Sequence, residues 1–161
     1  VLLKQVNHTV ALLAAAFRLI AHPAIAGINL VNHYIPLLLL NGSGFAQPFG
    51  SEQLHALVTL FLNAHTTGYL IAGAFFGIHL IFLGYLLYKS ELFPGLFGIL
   101  IGVAAAGYLL ESFGNFLIPG YKEIFAWIVG VTAVLGEVSL ALWLLIMGVK
   151  NQQPATSEVS S

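Results

Sequence analysis

The stretch from Ile124 to Met147 constrains this chain more than any other, because 24 consecutive residues there form one apolar run. At about 1.5 Å of helical rise per residue, such a run crosses a hydrocarbon core of about 30 Å. Trp127 lies near its start and Trp143 near its end, where amphipathic rings favour the membrane interfaces, and Lys150 follows just outside. Near the midpoint sits Glu137, preceded by Gly136. A carboxyl group at that depth costs on the order of 3 kcal/mol on insertion scales, so it is expected to face protein, water or a partner. It reads either as a protonated acid that hydrogen-bonds a neighbouring helix, or as a functional proton or ligand site.

Composition extends that reading to the whole chain. The sequence is 59% hydrophobic and only 7% charged, against about 25% charged residues in ordinary soluble domains. Its mean hydropathy is +0.95. The expected fold class is therefore all-α, a polytopic transmembrane helix bundle surrounded by a lipid bilayer. There is no cysteine, hence no disulfide, thiolate metal site or thiol nucleophile. A net charge of -1 offers no basic face to nucleic acid.

The opening Val-Leu-Leu before Lys4 reads as the tail of an earlier hydrophobic segment, and Asn7 supplies capping chemistry ahead of Val10. From Val10 to Leu40 the apolar run is too long for a straight span. Bends are expected at Pro23 and Pro36, where proline removes a backbone donor and clashes with the preceding turn. Arg18 in this run reads most simply as an interfacial side chain snorkelling to water, with a buried ion pair to a glutamate as the alternative. A loop follows through Gly50, with Ser51 as N-cap. The helical pattern from Glu52 to Tyr88 is again overlong, so a break is expected near Asn63–Gly68, leaving Thr67–Tyr88 as the spanning part. After the turn of Lys89 and Pro94, Leu96–Ile118 forms the third span. Its Gly98, Gly102, Ala104, Ala105, Ala106 and Gly107 make a small-residue face for close helix packing.

Residues 1–150 are thus expected to form one transmembrane domain, incomplete at its N-terminus, and 151–161 a polar disordered tail. Four spans place Lys4, Lys89 and Lys150 on one side and Lys122 on the other. The positive-inside rule makes the former side cytoplasmic, with both ends of the fragment inside.

A family resemblance rests on several motifs in order. They are Phe75-Phe76-Gly77-Ile78-His79, Leu83-Gly84-Tyr85-Leu86, the Lys89-Ser90 turn with Pro94, and Gly107-Tyr108-Leu109. Ser112-Phe113-Gly114-Asn115-Phe116, Gly136-Glu137 and Leu142-Trp143-Leu144-Leu145 continue the block. Together they resemble a bacterial integral membrane family catalogued as domain of unknown function 4386, and the similarity reaches back through Arg18 and Asn7. The resemblance implies a six-span membrane protein of the bacterial cytoplasmic membrane, with the four C-terminal spans present here. It implies no activity.

The polar groups sort into layers by depth. Glu137 and His79 both lie about 15 Å from the cytoplasmic edge and are expected to meet near the midplane. Gly107, Glu111 and Asn115 recur every four residues on one helix face, with Glu111 placed nearer the outer side at the level of Asn32 and His33. His65 is expected at the outer interface. Acid–histidine pairs of this kind either relay a proton or lock helices together. A second pattern is histidine spacing: His8 and His22 are 14 positions apart, as are His65 and His79. This is similar to the way b-type cytochromes hang haem between facing helices, although ligands at matching depth are required and these are offset by about 10 Å. No metal-ligand spacing, nucleophile–base constellation or phosphate loop is present.

The chain is therefore expected to be a nonenzymatic membrane protein. It would be an accessory or interaction subunit, with a membrane protein partner or a second copy, or a binder of a small apolar molecule. The alternatives are a small transporter or proton-coupled sensor using Glu/His pairs, and b-type haem binding; no cofactor is favoured. The candidate intramembrane polar site comprises Glu137, His79, Glu111, Asn115, His65, His33, Asn32 and Arg18.

Overall fold

The computed structural model describes residues 2–148 apart from 43 and 45; Lys150 and the tail of 151–161 lie outside the described residues. A short 3-10 turn, Leu2–Gln5, leads into α1 (His8–Ala16). Asn7 caps α1 as its sequence suggests, its side-chain oxygen accepting the Val10 N–H at 3.0 Å.

The first long run is not one regular helix. A π turn at Phe17–Ala21 joins α1 to α2 (His22–Leu40), and the His22 N–H reaches back five residues to the Phe17 carbonyl. Pro23 explains its place. Proline cannot donate to the carbonyl four residues before it and its ring crowds that turn, so the widened hydrogen-bond register forms immediately ahead of it. The expected irregularity at Pro23 is therefore a π turn, while Pro36 is carried inside α2.

α3 (Ser51–Lys89) is a single helix of 39 residues, about 58 Å long. The break expected near Asn63–Gly68 does not occur. Its polar residues are satisfied without leaving the helix: Thr66 and Thr67 donate to the carbonyls of Leu62 and Asn63 at 3.1 and 3.0 Å. Gly68 lies so close to Asn29 of α2 that any side chain there would collide with it. The segment is a helix–helix contact, not a loop.

The turn after α3 is fixed by Ser90, whose hydroxyl accepts the Leu92 N–H at 3.2 Å. α4 (Gly95–Leu117) then returns along α3. The two helices approach where glycines face backbone: a Cβ on Gly98 would lie 2.5 Å from the Tyr88 nitrogen, and one on Gly84 would lie 2.9 Å from the Gly98 carbonyl oxygen. Ala104 and Ala105 are fully buried in the same seam. Around it Phe76, Leu80, Leu87, Leu92, Phe93 and Ile101 form the core, toward the Lys89 end of the molecule.

The last run is also divided. α5 (Lys122–Ala133) and α6 (Ser139–Met147) are joined by a second π turn, Val134–Val138. Gly136 in that turn packs on α4, where a Cβ would lie 2.7 Å from the Leu100 carbonyl oxygen. Trp143 of α6 rests on Phe93 and Phe97 at centroid distances of 5.7 and 5.4 Å.

The helices pack as a row in chain order, α3 between the first helix and α4, and α4 between α3 and α5. Four helices are long and apolar enough to cross a membrane: His8–Leu40, Ser51–Lys89, Gly95–Leu117 and Lys122–Met147. In an 18-residue apolar window of each helix, only 6% of residues are buried for the two at the ends of the row, against 39% and 33% for the middle pair, so large apolar faces remain uncovered. Leu145 (82% exposed) and Ile146 (78%) are examples. Such faces suit hydrocarbon and would be untenable in water.

Candidate functional site

Each of the two π turns carries one of the three formally charged candidates, the third, Glu111, lying in α4. Arg18 belongs to the first, Glu137 to the second. A π turn inserts one residue into the helical register, re-aiming the side chains on it and loosening the local hydrogen-bond ladder; such turns recur at functional sites.

Arg18 points to Phe76 of α3. Its guanidinium carbon lies 4.8 Å from the centre of the Phe76 ring. Three more polar rings meet the same phenyl: His22 at 5.3 Å, His79 at 5.7 Å, and Tyr108 edge-on at 4.8 Å and 82°. Phe76 is 8% exposed and stands 13 residues before Lys89, about 20 Å along α3. Arg18 therefore reaches α3 well inside that helix, and its contact is cation–π.

The histidines are oriented by backbone carbonyls of facing helices. His79 Nδ1 is 2.8 Å from the Ala14 oxygen, and His22 Nδ1 is 3.3 Å from the Ala72 oxygen. His65 Nδ1 is 3.2 Å from the Asn29 oxygen. A carbonyl can only accept, so each neutral ring carries its proton on Nδ1 and keeps Nε2 as an acceptor.

The expected His79–Glu137 pair is not formed. His79 turns toward α1, whereas the second π turn brings Glu137 to Tyr108 of α4. The carboxyl oxygen Oε1 of Glu137 is buried and has no hydrogen-bond partner among the described residues. Tyr108 also feels the fields of Tyr69 and Glu111. Phe76 and Tyr108 stand where the direct acid–histidine contact was expected.

Toward the far end, Asn29 organises the polar groups. Its Nδ2 donates to the His65 carbonyl at 2.8 Å, and its Oδ1 accepts from Asn32 Nδ2 at 3.1 Å. His33 packs on His65 with ring centroids 4.7 Å apart. Asn32, His33 and His65 are thus brought together, but Glu111 and Asn115 are not with them. Asn115 Nδ2 donates to the Glu111 backbone carbonyl at 2.7 Å, and the Glu111 carboxyl lies in the field of Lys122. The adjacent Ser112 hydroxyl donates to Leu70 of α3 at 2.8 Å, fixing the level of this pair below the Asn29–His65 contact.

Between the first helix and α3 lies a cavity of about 680 Å³. Its polar lining is Arg18, His22, Asn29, His65 and Tyr69, set in apolar wall that includes Pro23 and Leu30. Sequence reasoning missed Phe76, Tyr108, Asn29 and Tyr69. The signal for Asn29 was present: an amide deep in an apolar run, opposite Gly68 at matching depth. No group of three or more His, Asp or Glu among the described residues could hold a metal ion.

Residues 1–148 match the family described as a domain of unknown function, DUF4386. An uncharacterized protein of Archaeoglobus fulgidus is 40% identical over 98 residues, covering 61% of this chain and 54% of that protein. The chain thus spans about half the length of this curated relative. No solved structure matches. A match over nearly the whole described chain, bearing the motifs that place Phe76, His79, Tyr108 and Glu137, makes this protein a member of the DUF4386 family.

Proposed function

We propose that this protein is a nonenzymatic, membrane-embedded binding module whose ligand is a small, largely apolar molecule seated between the first helix and α3. One observation carries the reading. Five polar side chains from two helices converge on an apolar cavity of about 680 Å³, within the range that holds small ligands. Polar groups at this depth are expensive unless they serve packing or a ligand. Three of the five, His22, Asn29 and His65, are already fixed by cross-helix hydrogen bonds. That fixation supports a preorganised site. The host membrane in this reading is a prokaryotic cytoplasmic membrane, with Lys4 and Lys89 on its inner face. The uncovered faces of the end helices suit a partner helix or a second copy.

The test is to purify the full-length protein and identify co-purifying small molecules by mass spectrometry, beside a Gly27→Phe variant. Gly27 lines the cavity and a Cβ there meets nothing within 4 Å, so the variant fills the site without forcing the backbone. A stoichiometric ligand lost in Gly27→Phe supports the reading; a ligand retained there sinks it. A visible tetrapyrrole spectrum would instead promote haem binding through the histidines.

A second reading, proton-coupled transport or sensing, is favoured by the buried, unpartnered Glu137 Oε1 beside Tyr108. Proton uptake in reconstituted vesicles that disappears in Glu137→Gln would select it.

A further inference from the structure

We infer that the ligand of this cavity is an anionic amphiphile, its acidic headgroup held by Arg18 and its hydrocarbon body lying along α2. The inference rests on the reading of the cavity as a ligand site and names the class of ligand. Arg18 is the one formally charged side chain of the lining. It contacts the face of Phe76 and forms no ion pair among the described residues. The two intramembrane carboxylates are engaged elsewhere, Glu137 with Tyr108 and Glu111 in the field of Lys122. The other polar rings in the neighbourhood bring no negative charge: His22 and His79 flank the same phenyl ring.

A guanidinium at about 20 Å from the helix end, in hydrocarbon, is costly without a counter-charge. Its flat fork of donors suits a carboxylate or phosphate bidentately. His22 and His65 add what such a headgroup also uses. With Nδ1 committed to carbonyls, each offers Nε2 as an acceptor to a headgroup hydroxyl or a bound water. The remaining wall, with Leu19, Pro23, Ala26 and Leu30, offers only hydrocarbon contacts. A single-chain carboxylic acid and the phosphate of an anionic phospholipid share this chemistry.

The experiment uses the full-length protein in phosphatidylcholine nanodiscs. Three probes are titrated by electron paramagnetic resonance: spin-labelled stearic acid, its methyl ester, and spin-labelled phosphatidylglycerol. Saturable immobilisation of the acid or of phosphatidylglycerol, at least about tenfold tighter than the ester, is expected. Which of the two is immobilised distinguishes a free acid from a phospholipid headgroup. Arg18→Gln should remove the preference, Arg18→Lys should keep part of it, and Gly27→Phe should remove binding of every probe. Equal binding of acid and ester, unchanged in Arg18→Gln but lost in Gly27→Phe, would overturn the anionic class and leave the cavity reading standing. No saturable binding of any probe, or binding untouched by Gly27→Phe, would overturn both.

Discussion

Asn29 and His65 hold each other twice across the α2–α3 contact. The Asn29 amide donates to the His65 carbonyl at 2.8 Å, and the His65 ring donates to the Asn29 carbonyl at 3.2 Å. Each side chain thus uses the other residue's backbone, and the helices are pinned in both register and rotation. Asn29 is 5% exposed, so its amide has no water to fall back on. Asn29→Leu should lower stability in detergent by about 1–2 kcal/mol, the scale of interhelical polar contacts. A double-mutant cycle with His65→Leu should return a coupling energy above about 0.5 kcal/mol. Additive losses would mean that the reciprocal clamp is not formed.

The Tyr108–Glu137 contact makes a different prediction, because it separates shape from chemistry. Glu137→Gln keeps the size and hydrogen-bonding capacity of the side chain and should shift stability by less than about 1 kcal/mol. Glu137→Leu strands the Tyr108 hydroxyl in apolar surroundings and should cost about 1–3 kcal/mol. Tyr108→Phe should erase most of the difference between the two. Thermal unfolding followed by the fluorescence of Trp127 and Trp143 reads all three, and equal stability of the Gln and Leu variants would refute the contact.

The spans were legible in the sequence because bilayer thickness sets a length that apolar runs must satisfy; the same holds for the turns at Lys89 and Pro119. The Gly98 seam was legible because only small residues let helices meet backbone to backbone. Rotation about the helix axis was not. One inserted residue at each π turn turns the downstream side chains by about 100°. Glu137 accordingly meets Tyr108 and not His79. The partner of Arg18 was not legible either, because a charged side chain in an apolar run resembles an anchor until Phe76 is located across the helix contact. Asn63–Gly68 was read as a break because Thr, Asn and Gly mark loops in water. In this helix the threonine hydroxyls bond their own backbone and the glycine serves a neighbour.

Two glycines of α4 four residues apart should respond oppositely to the same change. A Cβ on Gly98 meets the Tyr88 backbone at 2.5 Å, whereas one on Gly102 meets nothing within 4 Å. Gly98→Ala should destabilise by about 1–3 kcal/mol through overpacking. Gly102→Ala should be neutral or stabilising by up to about 1 kcal/mol, from reduced chain entropy of the unfolded state. Comparable losses at both positions would contradict the α3–α4 crossing.

Lys89 ends α3 and Lys122 begins α5, with only α4 between them. Single cysteines at these positions in a chain without native cysteine should label from opposite sides of the membrane, Lys89→Cys from the inner side. Labelling of both from one side would remove α4 as a span.

His79 offers the sharpest separation of polar glue from cofactor ligation. Its Nδ1 is 2.8 Å from the Ala14 carbonyl and its ring stacks on Phe76 at 5.7 Å, so the side chain ties α3 to α1 at one level of the bilayer. His79→Leu removes the hydrogen bond and leaves the Ala14 oxygen with its helical partner alone. Stability should fall by about 1–2 kcal/mol, with no change in visible absorption. His79→Gln can still donate across the same gap and should recover part of that loss, which a purely steric role would not allow. An axial ligand behaves otherwise: His79→Leu would abolish a Soret band and Gln would not restore it. The expected protein is colourless, with stability following the order His, Gln, Leu.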